Sequence, residues 1–284
     1  MPLPAVRDLV SSQFPQWSGM PVTRLRSQGT VNAIFRIGDC LTARFPLQPT
    51  TAGRLEKEAD AARELLGRTR FATPAPVAIG APGPGYPLPW SVQTWVPGEV
   101  ATSADPGRST FFARDLAEFI QAVRTIDTRG RRFGGGGRGG HLPDHDEWLE
   151  TCFQRSHDLL DVHPLRRLWQ KLRELPRGDY PDTMTHGDLI PGNVLVAAGR
   201  LTGVLDVGGL GPADRALDLV GAWHLLETGP RRELRDYLDC DDLEWERGRA
   251  WAFQQAMGAG WYYRHTNPVM CRMALRTLAR ITGP

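Results

Sequence analysis

The chain has 284 residues, 41% of them hydrophobic and 23% charged, which is the composition of a soluble globular protein with room for one large domain or two smaller lobes. A formal net charge of +2 without a long basic run gives no footing for nucleic acid, and no apolar run approaches the length of a membrane span. The first residues carry no apolar core of a signal peptide, and Cys40, Cys152, Cys240 and Cys271 are scattered without metal-like pairing, so reduced thiols in a cytoplasmic protein are expected.

In chain order, residues 5–14 suit a short amphipathic helix. Val22 to Leu25, Ala33 to Ile37 and Leu41 to Phe45 suit strands, with Gly38-Asp39 as a hairpin turn. Leu55, Ala59, Ala62 and Leu66 repeat at helical spacing within 52–67. Thr73-Pro-Ala-Pro76 breaks the pattern, and Trp90 to Trp95 reads as a further strand ended by Pro97-Gly98. That Pro-Gly separates an α+β lobe, 1–97, from a mainly helical lobe, 98–284. Helices are expected over 110–126, 145–160, 164–174, 214–227, 243–260 and 268–281. Gly134 to Gly140 is a loop and not a Walker phosphate loop, since no Gly-Lys-Ser/Thr follows. Asp144-His-Asp-Glu147 reads as a capping box, with Asp144 as N-cap and Glu147 at N3, rather than a metal cluster.

The richest segment is His186-Gly-Asp188-Leu-Ile-Pro-Gly-Asn193, followed thirteen residues later by Asp206-Val-Gly208. Phosphoryl transfer in kinases uses an Asp to take the acceptor proton, an Asn five residues on, and an Asp of an Asp-Phe-Gly turn, the last two on Mg²⁺. Asp188, Asn193 and Asp206 supply the same groups, with Gly187 and Val207 replacing the Arg and Phe. Val194 to Val196 and Leu201 to Leu205 read as a hairpin around Ala198-Gly199-Arg200. A turn centred on Gly199-Arg200 sets 193 opposite 206, with Cα atoms roughly 4.5–5.5 Å apart. Their oxygens are hard ligands suited to Mg²⁺. His-Gly-Asp alone is a common turn sequence; the full set with its hairpin points to chemistry.

These motifs resemble the aminoglycoside phosphotransferase family, within the protein-kinase-like small-molecule kinases. The likeness runs through nearly the whole chain, by way of Gly29-Thr-Val-Asn32, Arg44-Phe-Pro46, Leu55-Glu-Lys-Glu58, the strand to Trp95, the two catalytic motifs, Asp214-Arg-Ala-Leu-Asp218, and Tyr262-Tyr-Arg-His-Thr-Asn-Pro268. The resemblance implies a two-lobed α+β fold with ATP or GTP in the cleft and Mg²⁺ on Asn193 and Asp206. Asp188 would be the catalytic base, and Ser27, Gly29 and Asn32 would belong to the loop over the phosphates. The Thr94 carbonyl and Val96 N–H would meet the purine edge. His186 and Asp218 would be scaffolding, and Asp214 a cap or a second anchor.

One departure stands out. The third strand has no Lys; Arg44 occupies its position, and Glu58 is the expected partner. The expected partners of the protein are a nucleotide and a small hydroxylated acceptor. That acceptor is left open between an aminoglycoside, another antibiotic and a metabolic alcohol, with a regulatory nucleotide-binding protein as the alternative to an enzyme. Carboxylates for a polycation would come from Asp146, Glu147, Glu150, Asp158 and Asp161, or Asp241, Asp242 and Glu244, though such runs are also ordinary solvated helix faces.

Overall fold

The computed structural model describes residues 1–25 and 31–283. The chain starts with helix α1 (Leu3–Gln13) and strands β1 (Val22–Arg24), β2 (Asn32–Ile37) and β3 (Leu41–Pro46). Helix α2 (Ala52–Leu65), β4 (Pro76–Gly80) and β5 (Trp90–Thr94) follow. The five strands form one antiparallel sheet in the order β1-β2-β3-β5-β4. Alternation sorts its faces. Ala33, Phe35, Ile37, Ala43, Phe45, Trp90 and Val92 turn to one side and pack with Val6, Leu9 and Val10 of α1. Ile34, Thr42 and Arg44 therefore turn to the other, toward a large cleft. Strand β4, where the sequence offered only a break, is a sheet edge that begins at Pro76; an edge strand can do without the missing N–H.

The remaining elements are β6 (Glu99–Val100), α3 (Ala101–Ala104), α4 (Thr110–Arg124), α5 (Asp146–Ser156), α6 (Val162–Leu172), β7 (Thr183–Thr185), β8 (Val194–Ala197), β9 (Arg200–Val204), β10 (Gly211–Ala213), α7 (Val220–Leu225), α8 (Thr228–Tyr237), α9 (Asp242–Tyr262) and α10 (Pro268–Thr282). Helix α9 is buried nearly all round and forms the axis of the larger core, against α5, α7 and α10. Ala62, Leu65 and Phe71 pack into that core too, so α2 bridges the sheet and the helical body. Among the described residues no helix is long and apolar enough to cross a membrane.

Two expectations need correction. Asp144 does not cap α5: Leu142–His145 winds as a 3-10 turn and α5 starts at Asp146, with His145 at the N-cap and no side-chain cap. The helix expected over 214–227 is a 3-10 turn, Arg215–Leu219, running into α7, and the separate α8 follows with Pro230 in its first turn, where no N–H is needed.

Arg247 of α9 holds several of these parts together. Its guanidinium donates to Asp214 Oδ2 at 2.8 and 2.5 Å, to the Leu175, Pro176 and Gly140 carbonyls at 2.9, 3.1 and 3.2 Å, and is almost fully buried. Trp251 Nε1 adds a third donor to the same carboxylate oxygen at 2.9 Å. Arg247→Ala leaves the Asp214 charge buried without its counter-ion. The expected loss is about 3–5 kcal/mol of unfolding free energy by denaturant titration; a loss below about 1 kcal/mol would place the pair among surface-like bridges.

Candidate active site

The loop that carries Asp188 hangs from one buried carboxylate. Asp218, fully buried, accepts the His186 N–H at 2.8 Å and the Gly187 N–H at 2.7 Å. The His186 ring takes the Asp188 N–H on Nδ1 at 3.2 Å and so donates from Nε2 to the Leu205 carbonyl at 2.9 Å. One imidazole thereby joins the loop to the β8–β9 hairpin. Both residues act as the scaffolding expected of them. Asp214 takes the cap reading, through the Ala216 N–H; its other oxygen holds Arg247 and Trp251 and not the backbone of the loop before Asp188.

The hairpin turns at Ala198-Gly199, both with positive φ (48° and 71°), the geometry of a two-residue primed turn. Thr202 is bulged out, since Leu195 faces Gly203 while Val196 faces Leu201. Asn193 therefore lies opposite Leu205, whose N–H meets its carbonyl at 2.7 Å, and not opposite Asp206 as a turn at Gly199-Arg200 would require. Asp206 comes one residue later in the left-handed region, φ 57° and ψ 44°, which Asp tolerates better than most residues.

Asp188 is surrounded by donors. Arg138 Nη2 reaches Oδ1 at 3.0 Å and Gln255 Nε2 reaches it at 2.6 Å. Asn193 Nδ2 bonds Oδ2 at 2.9 Å and the Asp188 carbonyl at 3.0 Å, so of its amide atoms the oxygen is the one that could serve a metal. Burial pushes the Asp188 carboxyl up, but the Arg138 guanidinium and the other donors around it together hold the carboxyl below the usual carboxylate range. Behind Gln255, its Oε1 meets His224 Nε2 at 3.0 Å, and burial pushes that imidazole down to about 4, so it is neutral.

Arg138 and Gln255 were not singled out in the sequence. The signal for Arg138 was its place as the sole functional side chain in the run Gly134 to Gly140. A Cβ on Gly139 would lie 2.6 Å from Ala213 Cβ, and one on Gly140 2.5 Å from the Phe133 ring, so these two positions must be bare, whereas Gly134 to Gly137 meet nothing within 4 Å. Gln255 on α9 had no local signal.

Arg44 lies in the cleft as expected but with a different partner. Its Nη2 meets Asp206 Oδ1 at 2.6 Å, whereas Glu58 pairs with Arg54 at 3.4 Å. The cause is how α2 sits: it presses on the turn after Asp206 so closely that a Cβ on Gly208 would lie 2.9 Å from Glu58 Cβ, and Glu58 does not line the cleft. Asn32, Thr94 and Val96 line the same cleft as Arg44, Asp188, Asn193 and Asp206. Ser27 and Gly29 lie outside the described residues. Thr94 is fixed by two bonds of 2.9 Å to Ala75, one through its N–H and one through Oγ1.

The cleft is about 1380 Å³ and, among the described residues, Asp188 and Asp206 are its only carboxylates. The acids considered for a polycation are engaged elsewhere. Asp146 binds Arg173 and Trp169, Glu150 binds Arg166, and Asp242 binds Arg235. Glu244 is buried between Arg124 and Arg215, Asp161 and Asp241 cap helices, and Asp158 faces His157. Exposed Glu147 does not line the cleft either. No three His, Cys, Asp or Glu side chains among the described residues converge as a metal cage. One amide oxygen and one carboxylate still fit Mg²⁺, which completes its shell with phosphate oxygens and water.

Comparison with known proteins bears on the family and the fold. Two aminoglycoside 3'-phosphotransferases, from Escherichia coli and Salmonella typhimurium, are 35% identical over 155 residues, 51% of this chain and 56% of theirs. The match thus spans little more than half the length of these curated relatives. Among solved structures, the GDP complex of aminoglycoside 2'-phosphotransferase-IIIa superposes with a TM-score of 0.76 at 20% identity, covering 99% of this chain and 98% of that one. The macrolide 2'-phosphotransferase MphH of Brachybacterium faecium gives 0.64 at 18% identity, with 99% of both chains covered. At these identities the likeness establishes the fold, the kinase-like pairing of an antiparallel sheet with a helical body. The sequence model described as the phosphotransferase enzyme family matches residues 22–253, and the chain belongs to that family.

Proposed function

We propose that the protein transfers the terminal phosphate of ATP or GTP to a hydroxyl of a small molecule. The observation that carries this reading is the convergence of Asp188, Asn193, Asp206 and Arg44 on one cleft. Asp188 takes the acceptor proton as the new O–P bond forms; the bond between the γ-phosphorus and its bridging oxygen breaks, and nucleoside diphosphate leaves. Asn193 Oδ1 and the Asp206 carboxylate would hold Mg²⁺, which when bound neutralises charge on the phosphates. Arg44 faces the same phosphates and can grip them with its planar fork. Thr94 and Val96 receive the purine edge, and Asn32 with Ser27 and Gly29 belongs to the phosphate loop. Glu58 supports this arrangement only through packing on Gly208.

The division at Pro97-Gly98 suits this reading. The small core ends at Val92, and Gly98 (φ 141°) passes so close to Leu195 and Thr202 that a Cβ would sit 2.9 Å from both. Residues 1–97 would bind nucleotide and 98–284 would supply the catalytic groups and the acceptor wall. The phosphotransferases to which the chain is similar are named for aminoglycosides and macrolides, so an antibiotic is the first acceptor to test. A cytoplasmic site fits the nucleotide supply and the four free cysteines.

Asp188→Asn is expected to keep nucleotide binding and to lower turnover about 10²–10⁴-fold, measured as phosphate mass gain on the best acceptor. Near-normal turnover would remove Asp188 from its role. Arg138→Gln tests the charge beside it. The Asp188 carboxyl is depressed by Arg138, so the ionised base persists below the usual carboxylate range. Without the guanidinium the carboxyl titrates higher, and the acid limb of the pH–rate profile moves to higher pH. An unmoved limb would assign that limb to another group.

A further inference from the structure

The wall of the cleft beyond Asp188 is unlike a polycation site. Its charged residue is Arg138, a cation, and His145 beside it is held down by burial and stays neutral near pH 7. The two carboxylates that the cleft holds are already paired with arginines. An ammonium entering here would leave water without gaining an unengaged anion, and would meet the like charge of Arg138.

What the wall offers instead is apolar and amide surface. Trp148 at the start of α5 is 41% exposed and Tyr262 at the end of α9 is 58% exposed, both lining the cleft with Met270 and Met273 of α10. Gly258 makes this surface possible, since a Cβ there would lie 3.0 Å from the Trp148 ring. Methionines adapt their shape to irregular apolar partners. Arg138 and Gln254 line the same cleft and bring polar atoms to it. A hydroxyl or carbonyl satisfies such atoms without carrying charge. At about 1380 Å³ the cleft exceeds the roughly 300–1,000 Å³ of a site for one ligand, leaving room for a sizeable acceptor beside the nucleotide.

We propose that the acceptor is a hydroxylated molecule with a broad apolar face and at most one positive charge. It lies on Trp148, Tyr262 and the α10 methionines, with its reacting hydroxyl between Arg138, Gln254 and Asp188. This deepens the phosphotransferase reading and rests on it.

The test is calorimetric binding of four probes to the protein saturated with Mg²⁺ and a non-hydrolysable ATP or GTP analogue: erythromycin and chloramphenicol as singly charged and uncharged compounds, kanamycin and streptomycin as polycations. The better of the first pair is expected to bind at least about tenfold more tightly than the better of the second. Trp148→Ala, and separately Tyr262→Ala, should weaken that compound by about tenfold with nucleotide affinity unchanged. Tighter binding of a polycation overturns the proposal, as does failure of all four probes in a protein that binds Mg²⁺-nucleotide, or indifference of the preferred probe to both aromatic variants. Failure to bind nucleotide at all would instead overturn the phosphotransferase reading on which the proposal rests.

Discussion

The grip of the Asp218 carboxylate on two successive backbone N–H groups fixes the position of every group expected to react. A fully buried carboxylate is costly unless donors surround it. Burial raises the Asp218 carboxyl above its usual range, and the His186 and Gly187 amides offset part of that cost. Because both amides belong to the residues just before Asp188, satisfying Asp218 also sets the direction of the carboxylate proposed as the base. His186 then extends the constraint to Leu205, next to Asp206. The loop and the hairpin end are thus two parts of one rigid unit, anchored on the 3-10 turn that leads into α7.

Burial separates the ion pairs that hold the fold from those that can exchange. Arg247 and Asp214 are about 3–4% exposed, and breaking them strands a charge inside the protein. Asp206 is 48% exposed where it meets Arg44, and Asp188 is 33% exposed where it meets Arg138. Pairs partly open to water are cheaper to break than buried ones, so a nucleotide phosphate or a metal can take the place of a partner. The resting cleft is therefore self-neutralised: Asp206 on Arg44, Asp188 on Arg138, Gln255 and Asn193. Ligands would enter by exchanging partners, with Arg44 passing to phosphate as Asp206 passes to the metal. The Arg44 in place of a kinase Lys suits such an exchange, since its fork fits a carboxylate and a phosphate equally well.

Much of this was legible from local pattern. The strands around Gly38 and Gly199 and most of the α2 stripe depend on neighbours in sequence and appear in the structure; Leu66 does not join the stripe, because the helix ends at Leu65, which is buried in its place while Leu66 is exposed. What was illegible depended on tertiary placement. Glu58 reads as the partner of Arg44 until α2 is seen pressed onto Gly208, which turns Glu58 toward Arg54. The opposition of Asn193 and Asp206 failed by one residue, because Thr202 bulges and the turn sits at Ala198-Gly199. Asp144 looked like a cap, but Pro143 starts a 3-10 turn that carries the chain past it. Arg138 was hidden by its own setting, a glycine run that reads as mere slack until Ala213 and Phe133 are seen to require Gly139 and Gly140. Most of the acidic residues set aside for a cationic acceptor turned out to be helix caps and arginine partners, a use that no spacing along the chain reveals.

The exchange of partners in the cleft is the central claim, and a crystal structure with Mg²⁺ and a non-hydrolysable nucleotide tests it most directly. The account expects Arg44 to have left Asp206 for a phosphate oxygen, with the Asp206 carboxylate and Asn193 Oδ1 on the metal and Asp188 still facing the acceptor side of the cleft. An Arg44–Asp206 pair that stays intact with nucleotide bound, and a metal held by neither Asn193 nor Asp206, would contradict it.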